Sequence, residues 1–94
     1  MIVITAKITA KPEKRESLIQ LIRNLSQFSR QDHGCISFNC YTDSTNQNSF
    51  LFYEEWASQD DIDATFKTAH VKDFMREIPE LIIGEPVIKF HQES

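Results

Sequence analysis

The segment FLFYEEWAS, at residues 50–58, places two adjacent carboxylates beside the only tryptophan of the chain. Side chains alternate between the two faces of a β-strand, so the segment predicts Phe52, Glu54 and Trp56 on one face. A carboxylate among aromatic rings is either buried or beside a cavity, and when buried it needs a partner. Burial also raises the pKa of a carboxyl, which makes Glu54 a candidate catalytic acid or base. The alternative is a structural Glu54 that pairs with a backbone amide or a cation.

His70 is a second candidate base, because histidine changes its charge near neutral pH. It lies four residues after Phe66 and four before Phe74, and this spacing places all three on the buried stripe of a predicted helix. The alternative is a hydrogen-bonded core histidine without a catalytic role. Aromatic side chains are predicted to form the walls of a substrate pocket, although the tryptophan could equally be a plain core residue: Phe52, Trp56, Phe66 and Phe74.

Asn39 is a candidate hydrogen-bond donor to a substrate oxygen. It lies in the middle of the segment CISFNCYTD, at residues 35–43, where the neighbouring side chains are largely apolar. An amide is unusual in such a strand, because β-propensity favours aromatic and β-branched residues. Asn39 is therefore included among the predicted substrate-binding residues.

Hydrophobic periodicity predicts four strands and two helices to position these residues. The strands are expected at residues 2–10, 35–43, 50–58 and 81–90, with a polar turn at 44–49 between the middle two. The helices are expected from Pro12 to about Gln31 and from Ser58 to Pro79, with a bend at 67–69 where Thr68 could cap a new turn. This β-α-β-β-α-β order predicts one ferredoxin-like α+β domain over residues 1–94, with a four-stranded antiparallel sheet.

The helices of such a domain cover only one face of its sheet. Leu51 and Tyr53 alternate with the core-facing aromatics, so the uncovered face also carries large apolar side chains. An apolar sheet face needs a cover, and a chain of 94 residues buries only a modest core by itself. The sequence therefore predicts a homodimer, with Tyr53 at the subunit interface.

Composition limits the partners and cofactors. The net charge of −4 and the scattered basic residues argue against nucleic acid, whose phosphates are bound by clustered Lys and Arg. No segment predicts a membrane span or a secretory signal, so the expected location is cytoplasmic. Strand spacing predicts that Cys35 and Cys40 are reduced thiols, about 16 Å apart and on opposite faces. No metal-ligand spacing and no flavin or dinucleotide motif is present, so no metal and no cofactor is predicted.

Four short motifs, in order along the whole chain, resemble those of the antibiotic-biosynthesis monooxygenase-like family. They are Ala10–Pro12, Gly34–Cys35, Glu54–Trp56 followed by Ser58, and Thr68–His70 followed by Phe74. The chain departs from that family at Thr65, where many members have histidine, and at Ala69, where proline is common. The asparagine and the Trp/His pair of haem-degrading relatives are missing: strand one has no asparagine, and the pair's positions hold Thr65 and Met75.

The resemblance implies a dimeric α+β barrel that oxidises a small electron-rich aromatic or quinol-like metabolite with molecular oxygen, without metal or flavin. Glu54 and His70 would then be the catalytic residues. Two alternatives stay open. An isomerase-type enzyme acting on a carbonyl or phosphorylated metabolite would be favoured by Lys7 and Lys89 in one cleft with His70. A non-catalytic, dimeric small-molecule binding protein would be favoured by a solid interior around His70 and Trp56.

Overall fold

A four-stranded antiparallel sheet with helices packed on one face forms the body of the protein. The computed structural model describes residues 1–92. Its elements are β1 (Ile2–Thr9), α1 (Arg15–Ser29), β2 (Cys35–Asp43), β3 (Asn46–Trp56), α2 (Gln59–Thr65), α3 (Ala69–Glu77) and β4 (Val87–Gln92), with 3-10 turns at Pro12–Lys14 and Ile78–Glu80. The strand order is β2-β3-β1-β4, and neighbouring strands are antiparallel. The predicted ferredoxin-like β-α-β-β-α-β fold is confirmed.

The core lies between the sheet and the helices. In β3, Phe52, Glu54 and Trp56 are buried while Leu51 and Tyr53 are exposed, so the predicted alternation of this strand is confirmed. The opposing helical segments contribute buried side chains to the same core: Leu18, Ile22, Leu25, Ile62, Phe74 and Ile78. Each large apolar side chain buried in this way stabilises the fold by roughly 1.5–3 kcal/mol.

The second helical segment is divided at the predicted bend. The Ser58 side chain accepts a hydrogen bond from the Asp61 amide and starts α2, and Thr68 caps α3 in the same way. Because of this break, side chains of α2 and α3 that would share one face of a continuous helix point in different directions. Phe66, at the end of α2, is 45% exposed. The expectation that Phe66 lies on the buried stripe is therefore wrong.

Two strand predictions are corrected. β4 begins at Val87 and not at residue 81, because the left-handed Gly84 and the fixed backbone angle of Pro86 end regular pairing before it. Cys35 and Cys40 do not lie on opposite faces. An irregularity in the pairing of β2 between residues 35 and 37 changes the alternation, so the two cysteines pair with Trp56 and Phe52 on the helix-covered face.

Replacing Gly34 with alanine is expected to destabilise the fold by roughly 2–4 kcal/mol. Gly34 has φ of +83°, and an added Cβ would lie 2.1 Å from Cγ of Asp61, whose carboxylate is held by His33 and Ser58. Gly84 is the matched control. It has φ of +70° with no atom near its Cβ position, so Gly84→Ala should cost only about 1 kcal/mol. Equal losses in urea unfolding would contradict the close approach at Asp61.

Candidate active site

An aspartate fixes the orientation of the candidate base. Nε2 of His70, in the first turn of α3, lies 2.7 Å from Oδ2 of Asp32 in the turn between α1 and β2. The same oxygen accepts the Thr65 hydroxyl at 2.6 Å, and the His70 and Asp32 side chains are only 17% and 19% exposed. A neutral imidazole that donates its Nε2–H to Asp32 keeps its lone pair on Nδ1. The pair therefore leaves Nδ1 as the proton-accepting atom.

An open cleft lies beside His70, between α1 and α3. Its volume is about 300 Å³, and its lining is Leu21, Asn24, Leu25, Phe28, Ala69, His70, Asp73, Phe74 and Glu77. The Phe28 ring stacks on the imidazole, with centroids 5.6 Å apart and an interplanar angle of 20°. A volume at the lower end of the range for small-molecule sites suits a ligand of one or two rings. The α1–α3 cleft therefore places a candidate base beside a lining of mixed apolar and polar side chains.

Glu54 is buried in the core, between the sheet and the helices. Its Oε1 accepts the indole N–H of Trp56 at 3.0 Å, and Trp56 is fully buried. Burial raises the pKa of Glu54 to about 7, against the opposing effect of the Trp56 hydrogen bond. The neighbouring thiol of Cys40 has its pKa raised to about 12 by burial and by the Glu54 charge. Such a thiol stays protonated and unreactive at neutral pH.

The raised pKa of Glu54 makes stability depend on pH. Between its ordinary pKa of 4.5 and the native value of about 7, the unfolded chain loses the Glu54 proton while the native protein keeps it. Stability from this group therefore falls as pH rises through that window, by about 3 kcal/mol in total. Glu54→Gln keeps an acceptor for the Trp56 indole and should remove this part of the dependence of stability on pH. Urea unfolding at pH 5 and pH 8 gives the change in the free energy of unfolding between the two pH values. An equal change in the native protein and in Glu54→Gln would refute the prediction.

The predicted site residues fall into separate parts of the fold. His70 and Phe74 line the α1–α3 cleft. Phe52 and the Glu54–Trp56 pair are buried in the core. Phe52 packs edge to face against Phe74, a residue of the cleft lining, with ring centroids 5.8 Å apart. Phe66 lines another groove on the opposite side of α3.

Asn39 lies away from both openings. It pairs with Tyr53 on the helix-free face of the sheet, and its Oδ1 accepts a hydrogen bond from Arg30 at 3.3 Å. The sheet therefore separates Asn39 from His70.

Asp32 and Phe28 are the residues of this site that sequence reasoning missed. Asp32 is separated from His70 by 38 positions, and no local spacing connects them. Phe28 continues the apolar spacing of α1, yet it is 49% exposed and contacts the imidazole. Only the docking of the end of α1 against α3 brings these groups together.

The two lysines that would have favoured the carbonyl-metabolite alternative lie elsewhere. Lys7 pairs with Leu51, and Lys89 pairs with Thr5, which places both lysines on the helix-free face. His70 belongs to the helical layer on the other side of the sheet. The sheet separates both lysines from His70, so their positions do not favour the isomerase-type alternative.

The helix-free face carries several large side chains that contact no helix. Tyr41, Leu51, Tyr53 and Val87 are 55%, 41%, 38% and 54% exposed. Tyr41, Leu51 and Tyr53 lie on the neighbouring strands β2 and β3. Val87 lies on β4, where Lys7 of β1 separates it from Leu51. The exposed apolar side chains on β2 and β3 are a candidate interaction surface.

Within residues 1–92, no three His, Cys, Asp or Glu side chains are grouped as metal ligands would be. In the same part of the chain, no helix has the length and apolar character needed to cross a membrane.

Comparison with known proteins assigns the chain to a family. Residues 1–77 match the model of the antibiotic biosynthesis monooxygenase family. The chain is 36% identical to the uncharacterized protein sll1783 of Synechocystis sp. over 97% of its own length, and it spans 62% of that relative. It is 32% identical to YcnE of Bacillus subtilis, which is provisionally named a monooxygenase, over 87% of this chain and 86% of YcnE. A crystal structure of an antibiotic biosynthesis monooxygenase, 22% identical, superposes with a TM-score of 0.93 over 100% of this chain and 99% of that one.

Proposed function

The chain belongs to the antibiotic biosynthesis monooxygenase family, and we propose that it oxidises a small electron-rich phenol, hydroquinone or anthrone with molecular oxygen in the α1–α3 cleft. The observation that carries the proposal is the 2.7 Å contact of His70 with Asp32 beside that cleft. The provisional name of the Bacillus relative supports the same reaction class. Neither a metal nor an organic cofactor is part of the proposed reaction.

The reaction begins with a proton transfer. Nδ1 of His70 takes a proton from the acidic O–H or C–H of the substrate, and Asp32 stabilises the imidazolium that forms. This electrostatic support operates in a partly desolvated position, where it is stronger than in water. General base catalysis of this kind contributes roughly 10²- to 10⁴-fold in rate.

The substrate anion then reacts with oxygen. It transfers one electron to O₂, and the resulting radical pair combines to form a C–O bond. The peroxide anion takes back the proton held by His70, and the hydroperoxide loses water as a carbonyl forms. One oxygen atom thus enters the product and the other leaves as water, so the step balances without an external reductant.

The charge of the cleft defines the substrate class further. Asp73 and Glu77 belong to its lining, and the Asp73 carboxylate is paired with Arg76 at 2.7 Å. A phosphorylated or multiply anionic substrate would approach these carboxylates without a converging set of cations. The lining therefore supports a neutral aromatic substrate over a phosphorylated metabolite.

A homodimer formed through the helix-free sheet face is part of the proposal. The exposed tyrosines and aliphatic side chains of this face would be covered by the same face of a second chain. A two-fold dimer uses one self-complementary patch, which fits a surface at the centre of the sheet. The α1–α3 cleft, on the opposite side of the sheet, stays open in such a dimer.

Oxygen isotope incorporation tests the proposal. The purified protein, treated with a chelator, is incubated under ¹⁸O₂ with a panel of naphthohydroquinones and anthrones. We expect enzyme-dependent oxygen uptake and a product that carries one ¹⁸O atom. Uptake no faster than autoxidation for every member of the panel would contradict the proposed reaction.

A further inference from the structure

A groove separate from the candidate active site lies between α1 and β2, the strand at one edge of the sheet. Its volume is about 530 Å³, and its lining is Ile22, Arg23, Ser26, Gln27, Arg30, Gln31 and Cys40. We call it the α1–β2 groove. It shares no lining residue with the α1–α3 cleft, so a ligand bound there would not occupy the site of the proposed oxidation.

The α1–β2 groove is cationic, although the chain as a whole has a net charge of −4. Among residues 1–92, its lining contains two arginines and no carboxylate. Burial and the Glu54 charge raise the pKa of the Cys40 thiol to about 12, so this thiol adds no negative charge at neutral pH. The Ser26 hydroxyl donates to the Ile22 carbonyl oxygen at 2.8 Å, so its proton is not offered to a ligand. The two guanidinium groups therefore determine which ligands the groove favours.

One of these guanidinium groups, that of Arg30, is held in place by the edge strand. Its Nε donates to the Phe38 carbonyl oxygen at 2.9 Å, and its Nη2 donates to Oδ1 of Asn39 at 3.3 Å. A guanidinium has five N–H groups in a planar fork, so the protons on Nη1 and the second proton on Nη2 remain for a ligand. Because the side chain is already ordered, binding a ligand costs little of its rotamer freedom.

The other guanidinium group, that of Arg23, has no partner in the part of the chain that the structure describes: it forms neither an ion pair nor a hydrogen bond there. Arg23 lies seven residues before Arg30, which is two helical turns, or about 10 Å along α1. Since Arg30 is held at Phe38, the two charges belong to opposite ends of the groove. Ile22 and Cys40 contribute an apolar surface to its lining.

We propose that the α1–β2 groove binds an elongated dicarboxylate, with one carboxylate at Arg23 and the other at Arg30. Arginine and carboxylate form charge-assisted, often bidentate hydrogen bonds. The separation of the two arginines favours two distant anionic groups over a single phosphate, which would contact one guanidinium at a time. The apolar body of the ligand would lie against Ile22 and Cys40. This binding is independent of the oxidation in the α1–α3 cleft.

Calorimetric titration with naphthalene-2,6-dicarboxylate tests the proposal. Two comparison ligands keep the ring system: naphthalene-2,3-dicarboxylate has the same charge on adjacent carbons, and 2-naphthoate has a single carboxylate. We expect saturable binding of the 2,6-dicarboxylate. Each comparison ligand should bind about tenfold more weakly or worse, because it can pair with only one of the two arginines and a hydrogen bond to a charged group contributes about that factor.

Arg23→Met should lower the affinity for the 2,6-dicarboxylate to that for 2-naphthoate, within about twofold. Arg23 is exposed, so the variant should fold. Arg76→Met is the matched control, since it removes a guanidinium that pairs with Asp73 outside the groove lining, and it should bind the 2,6-dicarboxylate like the native protein. His70→Ala should also bind it like the native protein, whether or not His70 is the base of the oxidation.

Three results would each overturn the proposal: equal affinity for the 2,6- and 2,3-dicarboxylates, an unchanged affinity in Arg23→Met, or the absence of saturable binding. An unchanged affinity in Arg23→Met would show that the ligand occupies another part of the molecule. If sedimentation shows an assembly that Arg23→Met dissociates, while the 2,6-dicarboxylate does not bind, the groove is an interface between copies and the proposal fails.

Discussion

Replacing His70 with alanine is expected to lower kcat for oxygen uptake by roughly 10²- to 10⁴-fold, the usual contribution of a general base. The substitution removes the only imidazole in the lining of the α1–α3 cleft, and it leaves the Asp32 carboxylate bonded to Thr65. His70 is partly exposed rather than fully buried, so the fold should tolerate the change. Steady-state oxygen uptake with the best hydroquinone of the panel measures the loss.

His33→Ala is the matched control for this prediction. His33 also bonds a carboxylate, Asp61, at 2.7 Å, but its side chain is 96% exposed and it does not line the cleft. Its replacement should leave kcat unchanged within about twofold. Undiminished uptake by a folded His70→Ala protein would refute the catalytic assignment and leave His70 as a structural partner of Asp32.

Replacing Tyr53 with aspartate is expected to convert the proposed dimer into monomers. Tyr53 pairs with Thr5 on one side and Asn39 on the other, so it lies near the centre of the helix-free face. A carboxylate there would lose its hydration on association, and a two-fold axis would bring two such charges close together. Sedimentation analysis should show the 11.0 kDa mass of one chain. Circular dichroism should remain that of the folded protein, because Tyr53 is exposed in the isolated chain.

Tyr53→Phe is the control for the dimer prediction, since it keeps the ring and adds no charge. It should sediment like the native protein. An unchanged dimer for Tyr53→Asp would show that the subunits pair through another surface. A native protein that sediments as a monomer would contradict the proposed dimer itself.

Local patterns were sufficient to predict the fold. The alternation of β3 identified its buried and exposed faces, and the caps at Ser58 and Thr68 located both starts of the second helical segment. These features depend on side-chain periodicity and on hydrogen bonds between near neighbours in sequence. Such interactions are visible in the chain itself, before any tertiary contact is known.

The failed predictions have different causes. The expectation for Phe66 followed one stripe through residue 68, although the Thr68 cap predicted from the sequence already breaks the helix there and turns Phe66 outward. The faces of Cys35 and Cys40 were reversed by one irregular residue in β2, because a single-residue shift exchanges the faces of a strand. Asp32 joins His70 only through the packing of α1 against α3.

Chemical rescue of His70→Ala by imidazole tests directly whether His70 takes the substrate proton in the α1–α3 cleft. The alanine leaves space for a free imidazole beside Phe28 and Asp32. Oxygen uptake by the variant should rise with imidazole concentration, in proportion to the neutral form of imidazole, while His33→Ala should be unaffected. A folded His70→Ala protein whose uptake does not respond to imidazole, with substrate affinity retained, would contradict that role of His70.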